Sequence, residues 1–345
     1  MREYFEERIC EELDADGKVE VAGHTWANSH VFQNMDEQGY DAHVIEAVDE
    51  KKAQARERAR ALLEETECVQ RFELLCQKQR KQMVMPFVGA GMSVASGFPL
   101  WGDLLRHTTA DDPDLRATVA GLIAEFKYED AAQAIHDTLG PEALHNDIEA
   151  HLGNPGYDPK GPVNLLPYCF GNGCLTTNLD NVLERVFLSA GQKFDTEVWG
   201  TRLKEQQGFV PPDENRLFKI HGTATERGGR VITRQEYDHT YANDITLEAV
   251  LNHIVANRHL LFLGCSLGVD RTVLALTSLF QNGVVQNLQH FAILPLYEDT
   301  DRALRRQELA AANITPIWYP KTDETEHEQC IEDLLICIAE GGLGG

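Results

Sequence analysis

The sequence predicts an α/β fold built on a parallel sheet with helices on both faces. Short apolar runs of strand length alternate with amphipathic helical segments over most of the 345 residues, and this alternation is typical of parallel sheets. Several of the apolar runs end in glycine or in a polar residue. Because ligands bind beyond the carboxyl ends of parallel strands, we expect a Rossmann-like sheet with a binding crevice at that edge.

Residues 1–82 are predicted to form a mostly helical N-terminal extension. Neither glycine nor proline occurs between Gly39 and Pro86, and residues 47–82 are predicted to form one long charged helix. Residues 19–40 are predicted to hold a short strand or a loop. The extension carries no motif for chemistry, so we expect it to serve in packing or in assembly of a homo-oligomer.

Residues 83–345 are predicted to form the α/β domain itself. A helical insertion is expected at about residues 104–165, and the last helix is expected at Glu326–Ala339. A further helix is predicted at Asn181–Ala190, directly after the second strand. The predicted strands are Met83–Gly89, Gly173–Thr177, Leu217–Ile220, His259–Leu263, His290–Pro295 and Thr315–Tyr319.

The acidic composition argues against two classes of partner. The formal net charge is −24, whereas binding to nucleic acid or to anionic membranes depends on clustered lysine and arginine. We therefore expect no direct nucleic-acid binding and no membrane association. The opening segment, MREYFEERIC, lacks the apolar stretch of a signal peptide. These features predict a cytoplasmic protein.

The eight cysteines do not indicate a metal site. No two of them form a Cys-x-x-Cys pair, which is the usual spacing of structural zinc ligands. Reduced and buried thiols are the default for an intracellular chain of this size. We accordingly expect no zinc and assign no metal-ligating residue.

A glycine-rich turn follows the first predicted strand. Gly89, Ala90 and Gly91 would allow a close approach of the backbone to a pyrophosphate, and Ser93 would add a hydroxyl donor. The helix expected next would present unpaired N–H groups to the anion. The spacing departs from G-x-G-x-x-G, and an ordinary strand–turn–helix connection explains the run equally well.

Polar side chains follow three further predicted strands. Asn178 suits a ribose hydroxyl or a water molecule, and Asp180 suits a carboxamide, although an ordinary helix cap also explains Asp180. His221 is the side chain suited to take a proton near neutral pH. Gly264 and Ser266, with Asp270 nearby, suit a ribose, although Ser266 alone is explained by a helix cap.

In this order, these segments resemble the four motifs of the sirtuins. The sirtuin motifs are G-A-G-x-S-x-x-S-G-I-P, Q-N-I-D, H-G and G-T-S-L. The matching segments are Gly89–Pro99, Thr177–Asp180, His221-Gly222 and Gly264–Leu267. The resemblance extends from about residue 83 to the C-terminus, and it implies a domain that binds NAD.

Departures from the family pattern point to one branch of it. Sirtuin protein deacylases carry two zinc-binding Cys-x-x-Cys pairs after the H-G motif, but residues 223–241 contain no cysteine. The chain is more similar to a zinc-less branch found in bacterial antiphage defence. Segments resembling that branch are Gly97–Trp101, Thr233–Tyr237 and Ile317–Pro320.

This resemblance implies an NAD⁺ hydrolase (NADase) that cleaves the nicotinamide–ribose bond and depletes NAD during infection. It also implies a partner such as a HerA-type ATPase or a short Argonaute. In the implied mechanism Asn178 positions a ribose hydroxyl or the attacking water, and His221 is the base. The implied contacts with NAD come from Gly89, Ala90, Gly91 and Ser93 at the diphosphate, Gly264, Ser266 and Asp270 at the adenosine end, Trp101 at the nicotinamide and Asp180 at the carboxamide.

Two other functions remain open at this level. A sensor that binds NAD or ADP-ribose without cleaving it needs the glycine turn but neither Asn178 nor His221. A protein deacylase would need a peptide groove that the sequence does not display. An α/β domain of unrelated function is the remaining alternative.

Overall fold

The protein is described by a computed structural model. It describes residues 1–344 except for 22, 154–155, 206–213, 242–245, 256–257, 269–270, 284–287 and 322–323. Within these residues the strands are β1 Lys18–Val21, β2 His24–Ala27, β3 Val84–Val88, β4 Cys174–Thr176, β5 Thr196–Trp199, β6 Arg216–Lys219, β7 His259–Leu263, β8 His290–Leu296 and β9 Ile314–Pro320.

Helices account for much of the remaining described chain. The N-terminal helices are α1 Arg2–Ala15, α2 Asn28–Met35, α3 Glu37–Glu65 and α4 Val69–Gln79. Between β3 and β4 lie α5 Trp101–Thr108, α6 Pro113–Ala124, α7 Tyr128–Leu139, α8 Pro141–Leu152 and α9 Leu166–Cys169. The later helices are α10 Val182–Ser189, α11 Arg234–Thr240, α12 Leu247–Val255, α13 Arg271–Gln281, α14 Arg302–Ala310 and α15 Glu324–Ala339.

The main sheet is parallel and has seven strands in the order β5-β6-β4-β3-β7-β8-β9. The predicted α/β class and parallel sheet are thereby confirmed. The chain moves outward from β3 through β4 to the edge strand β5, returns to β6 between β5 and β4, and then crosses to β7 on the other side of β3. Strand order therefore reverses between β3 and β7, and ligands bind at such a switch point in open α/β sheets.

The central strands are apolar because both of their faces are covered. Every residue of β3 and of β7 is buried, and Val84 through Val88 pair in register with His259 through Leu263. Strands buried on both faces are expected to be continuously apolar rather than alternating. This pairing brings the turns that follow β3 and β7 together at one edge of the sheet.

The N-terminal segment packs directly against the seven-stranded sheet. Helix α3 lies against α15 and β9, and α4 lies against β3 and β9. The buried apolar core is continuous from Phe5 in α1 to Leu343 near the C-terminus. A division at residue 82 and a role in assembly stay predictions.

The prediction of a single long helix over residues 47–82 is wrong, because helix α3 ends at Glu65. Glu67 adopts a left-handed φ of 55°. The buried Thr66 hydroxyl donates to the Leu62 carbonyl (2.8 Å) and to the Trp318 carbonyl (2.9 Å). The Trp318 N–H in turn donates to the Cys68 sulfur (3.3 Å). Contacts with β9 thus stabilise the end of this helix. Helix propensity alone does not predict these contacts.

No described helix is long and apolar enough to cross a membrane. The two short strands β1 and β2 form a separate antiparallel hairpin within the N-terminal segment. Residues 19–40, predicted as a strand or a loop, contain this hairpin's second strand and the helix α2.

Candidate functional site

A cavity of about 540 Å³ opens at the carboxyl ends of β3, β4, β6 and β7. Its volume falls within the ~300–1,000 Å³ of typical small-molecule sites. Helices α5, α7 and α13 supply much of the remaining wall. The residues predicted from the sequence that line it are Gly89, Ala90, Gly91, Trp101, Asn178, Asp180, His221, Gly264 and Ser266.

Two of the predicted residues lie elsewhere. Ser93 is buried beneath the glycine turn, with 1% of its surface exposed, and it is not among the residues lining the cavity. The Ser93 hydroxyl accepts from the Asn178 side-chain amide, and the contact with the diphosphate assigned to Ser93 stays a prediction. Asp270 lies outside the residues that the structure describes, so its assignment stays a prediction.

The glycines are required by the packing of two turns against each other. The Gly89 N–H donates to the Leu263 carbonyl (2.8 Å), and the Gly91 N–H donates to the Gly264 carbonyl (3.0 Å). A Cβ atom on Gly89 or on Gly91 would lie 2.5 Å or 2.9 Å from the Gly264 oxygen. Gly264 itself has a left-handed φ of 64°. The turns after β3 and β7 thus form one rigid edge of the cavity.

The α-helix expected directly after the glycine turn is absent from this described stretch. Two 3-10 turns, Ala90–Met92 and Val94–Ser96, occupy its place. The first true helix, α5, begins at Trp101. The tight contact between Gly91 and Gly264 explains the difference, because the chain must bend around the β7 turn before a helix can start.

Asn178 is held in one orientation at the cavity floor. Its side-chain NH₂ donates to the Gly89 carbonyl and to the Ser93 hydroxyl, both at 3.1 Å. Its backbone N–H donates to the Thr176 hydroxyl (2.9 Å). With both amide hydrogens engaged, Asn178 can offer a ligand only its side-chain oxygen, which accepts hydrogen bonds.

The buried Asp180 carboxyl contacts the start of helix α10 and also lines the cavity. One oxygen accepts from the Val182 N–H (3.0 Å) at the start of α10, which is the capping role weighed from the sequence. Burial raises the pKa of Asp180, while the charge of Lys219 and hydrogen bonds from Val182 and Ser93 oppose that rise. The same side chain lines the cavity, so capping and ligand contact are compatible here.

Lys219 is a functional candidate that sequence analysis missed. Its ammonium group is buried, with 2% of its surface exposed, and donates to the Asp180 backbone oxygen (2.5 Å) and to Glu184 Oε1 (2.6 Å). It therefore fixes the turn that carries Asn178 and Asp180. The available signal was a single lysine ending an apolar strand, two residues before His221.

His221 follows β6 and faces the turn after β4. Its ring hydrogen-bonds to the Thr177 backbone, and burial lowers its pKa to about 4. The imidazole is therefore neutral near pH 7. One ring nitrogen donates to the carbonyl oxygen, which leaves the other nitrogen unprotonated and able to accept a proton.

The segment Thr233–Tyr237 supports His221 from the side. Thr233 and Glu236 form a capping box at the start of α11, which satisfies two otherwise unpaired N–H groups. The Tyr237 ring meets the His221 ring edge-on, with 6.0 Å between centroids. This arrangement gives a structural reason for the Thr-x-x-Glu-Tyr pattern.

Ser266 lies on a strained turn that is stabilised by a side chain outside the cavity. The next residue, Leu267, has a left-handed φ of 50°. The Arg305 guanidinium donates to the Ser266 and Leu267 carbonyl oxygens, both at 2.8 Å. Arg305 belongs to α14, so the orientation of Ser266 depends on a helix about 40 residues away in sequence.

Cationic side chains also reach the cavity wall. Arg271, the first residue of α13, pairs with Glu129 and with Asp238 (2.9 Å), and its guanidinium lies over the Tyr237 ring. Arg234 pairs with Asp130 (3.1 Å). Both arginines were missed in the sequence, because charged residues at helix starts are common on any surface.

A smaller cavity of about 180 Å³ adjoins the first one behind Leu152 and Leu179. Lys219 and Glu184 lie in its wall together with Glu197 and Trp199. Burial raises the pKa of Glu197. Glu197 and Trp199 belong to the edge strand β5, which the sequence analysis did not predict. The smaller polar cavity was therefore not predicted either.

The comparison with known proteins agrees with this geometry. Residues 172–317 match the sequence model of the SIR2-like domain. This segment of the chain is thus similar to SIR2-like domains. The match covers β4 through most of β9, and therefore includes Asn178, His221 and Gly264.

The chain is also similar to a curated relative, the NAD(+) hydrolase ThsA of Cytobacillus dafuensis. The two sequences are 24% identical over 191 residues, which cover 52% of this chain and 34% of the relative. The chain thus spans about a third of the length of that relative. The predicted resemblance to sirtuin-like proteins is confirmed.

Proposed function

We propose that this SIR2-like domain binds NAD in the larger cavity and hydrolyses its nicotinamide–ribose bond. One observation carries the proposal. Asn178 after β4 and His221 after β6 line the same cavity as the glycine turn after β3. A polar acceptor, a neutral imidazole and a tight backbone turn are the groups that such a reaction needs. The relative described as an NAD(+) hydrolase supports the same reaction.

The chemistry follows from the state of these side chains. Nicotinamide leaves as a neutral molecule as the ribose carbon develops oxocarbenium character, and a water oxygen then bonds to that carbon. The Asn178 oxygen accepts a hydrogen bond from a ribose hydroxyl or from the attacking water. The unprotonated nitrogen of His221 takes the proton that is released. The products are nicotinamide and ADP-ribose.

The remaining groups around the cavity would hold NAD along its length. The turn from Gly89 to Gly91 receives the diphosphate, and Arg271, which is paired with Glu129 and Asp238, lies in the same cavity wall. Ser266, positioned by Arg305, receives the adenosine ribose. Trp101 forms the wall beside the nicotinamide, and Asp180 accepts from the carboxamide.

A non-hydrolysing NAD or ADP-ribose sensor is the second candidate function. The low pKa of His221 favours it, because a base with a pKa of about 4 is weak near pH 7. A protein deacylase is less compatible, since the segment that would carry the acyl-peptide groove shows none of the deacylase motifs.

We further propose that the hydrolase depletes NAD in bacterial antiphage defence, in the cytoplasm and as a homo-oligomer. A HerA-type ATPase or a short Argonaute is the expected partner. These assignments rest on the resemblance of the sequence to the zinc-less branch of sirtuin-like proteins.

The test is to incubate the purified full chain with NAD and to quantify nicotinamide and ADP-ribose by chromatography. Asn178→Ala and His221→Ala should each lower the rate by ~10²–10⁴, with NAD binding retained. His253→Ala, which removes an exposed histidine on α12, is the matched control and should match the wild type.

Two results separate the alternatives. NAD that binds but stays intact, with and without candidate partners, supports the sensor and rejects the hydrolase. A His221→Ala variant within a few-fold of wild-type activity rejects His221 as the base.

A further inference from the structure

Three potential metal ligands meet on the outer side of the helical segment between β3 and β4. They are His107 on α5 and Asp147 and His151 on α8. Asp147 and His151 are four residues apart, so they share one face of their helix. One ligand atom from each of the three side chains lies within 4.8 Å of the other two. The two imidazole rings meet edge-on, with 4.6 Å between centroids.

The chemistry of these groups selects a class of cation. Two imidazole nitrogens and one carboxylate oxygen suit Zn²⁺ and the neighbouring transition metals, whereas Mg²⁺ and Ca²⁺ prefer oxygen ligands alone. Metal–ligand bonds of ~2.0–2.1 Å in a tetrahedron place ligand atoms ~3.3 Å apart. His107 and His151 are exposed, so side-chain rotation alone can close the remaining gap.

The cluster lies on two helices that form the wall of the larger cavity. Helix α5 packs against α8. Trp101, Gly102 and Leu104 of α5 and Leu152 of α8 line that cavity. A metal held between His107 and His151 would therefore fix the relative position of two parts of the same wall.

We propose that His107, Asp147 and His151 form a binding site for Zn²⁺ or a similar transition-metal ion. The site has three protein ligands and leaves one coordination position to water. It joins α5 to α8 and stabilises the helical segment beside the cavity. The proposal departs from the sequence-based expectation of no zinc and no metal-ligating residue, because the spacing of the cysteines gave no indication of this set of ligands.

The proposal is tested by titrating the full chain, freed of any affinity tag, with Zn²⁺ and with Co²⁺. The wild type should bind one equivalent of Zn²⁺, and bound Co²⁺ should give the visible absorption of a low-coordinate site. His107→Gln and His151→Gln should each weaken binding at least ~10-fold, and Asp147→Asn should also weaken it. The matched control is His253→Gln, which should bind like the wild type.

A thermal melt gives a second readout that is independent of NAD turnover. Zn²⁺ should raise the midpoint of the wild type and of His253→Gln, but not that of His151→Gln, and Mg²⁺ should raise none of them. All variants should melt alike without metal, because the substituted histidines are exposed. Equal Zn²⁺ affinity in the wild type and in the His107→Gln/His151→Gln double variant would overturn the proposal.

Discussion

Ser93 connects the two polar side chains that follow β4. Its hydroxyl accepts from the Asn178 amide (3.1 Å) and hydrogen-bonds to the Asp180 carboxyl. A hydroxyl can donate once and accept at the same time, so this one group orients both neighbours. A serine below the cavity can thus affect chemistry without contact with the ligand.

Ser93→Ala should lower NAD turnover without unfolding the domain. The loss of a hydrogen bond to a charged group costs about 1.5–3 kcal/mol, which corresponds to a rate lower by a factor on the order of 10–100 if Asn178 then rotates away. The effect should fall mainly on kcat, because the groups that hold the diphosphate are unchanged. Steady-state kinetics on the purified variant measure the division between kcat and KM.

The control for this variant is Ser96→Ala in the same segment. The Ser96 hydroxyl bonds only to backbone atoms of Lys160 among the partners described, and Ser96 does not line the cavity. It should keep the wild-type kcat. If both variants lose activity equally, the effect belongs to the segment as a whole and Ser93 has no particular positioning role.

At the scale of elements, the turns after β3 and β7 act as one unit because their backbones touch. Gly91→Ala should separate them, since the new Cβ would lie 2.9 Å from the Gly264 oxygen and 3.0 Å from its Cα. We expect a loss of about 1–3 kcal/mol in the free energy of unfolding, together with weaker NAD binding. Urea unfolding followed by circular dichroism measures the first effect, and calorimetry measures the second.

Gly121→Ala on α6 is the matched glycine substitution. A Cβ there would meet no atom within 4 Å, and alanine favours a helix over glycine by roughly 0.5–1 kcal/mol. This variant should be as stable as the wild type or more so, and it should bind NAD normally. A Gly91→Ala protein with unchanged stability would show that the two turns can move apart at little cost.

The strands and helices that a local sequence pattern defines were predicted correctly. The elements whose ends or presence depend on long-range contacts were not. The six predicted strands are all present, because each is a short apolar run with a marked end. The edge strand β5 was missed because Thr196–Trp199 is neither apolar nor alternating enough, and its place in the sheet comes from pairing with β6. The break between α3 and α4 depends on two hydrogen bonds with Trp318 of β9, one donated by the Thr66 hydroxyl and one accepted by the Cys68 sulfur.

Whole-molecule topology explains which parts of the site were foreseen. Asn178, His221 and Gly264 each end a strand, and a parallel sheet brings such ends to one edge. Lys219, Arg271 and Arg305 act on the cavity through tertiary contacts with residues at least 33 positions away. The pattern and spacing of residues in the sequence do not predict such pairings.

Acid sensitivity is also a property of the whole molecule, since three neutral histidines are enclosed by the fold. Burial lowers the pKa of His221 to about 4 and of His290 to about 3, and it lowers the pKa of His259 as well. His259 and His290 begin β7 and β8, at the end of the sheet opposite the cavity. In the unfolded chain the pKa of a histidine is about 6.5.

The free energy of unfolding should therefore depend on His290 in a pH-dependent way. Between pH 6.5 and about pH 3 the unfolded chain binds a proton that His290 in the folded chain does not, so this residue destabilises the fold by up to about 1.4 kcal/mol per pH unit as the pH falls. His290→Asn keeps an acceptor for the Leu260 N–H but does not titrate. Urea unfolding at pH 7, 6 and 5 should show the wild type losing its advantage over His290→Asn below pH 6.5, whereas the exposed His253→Asn control should follow the wild-type slope. A difference between wild type and His290→Asn that stays constant with pH would mean that folding does not change the pKa of His290.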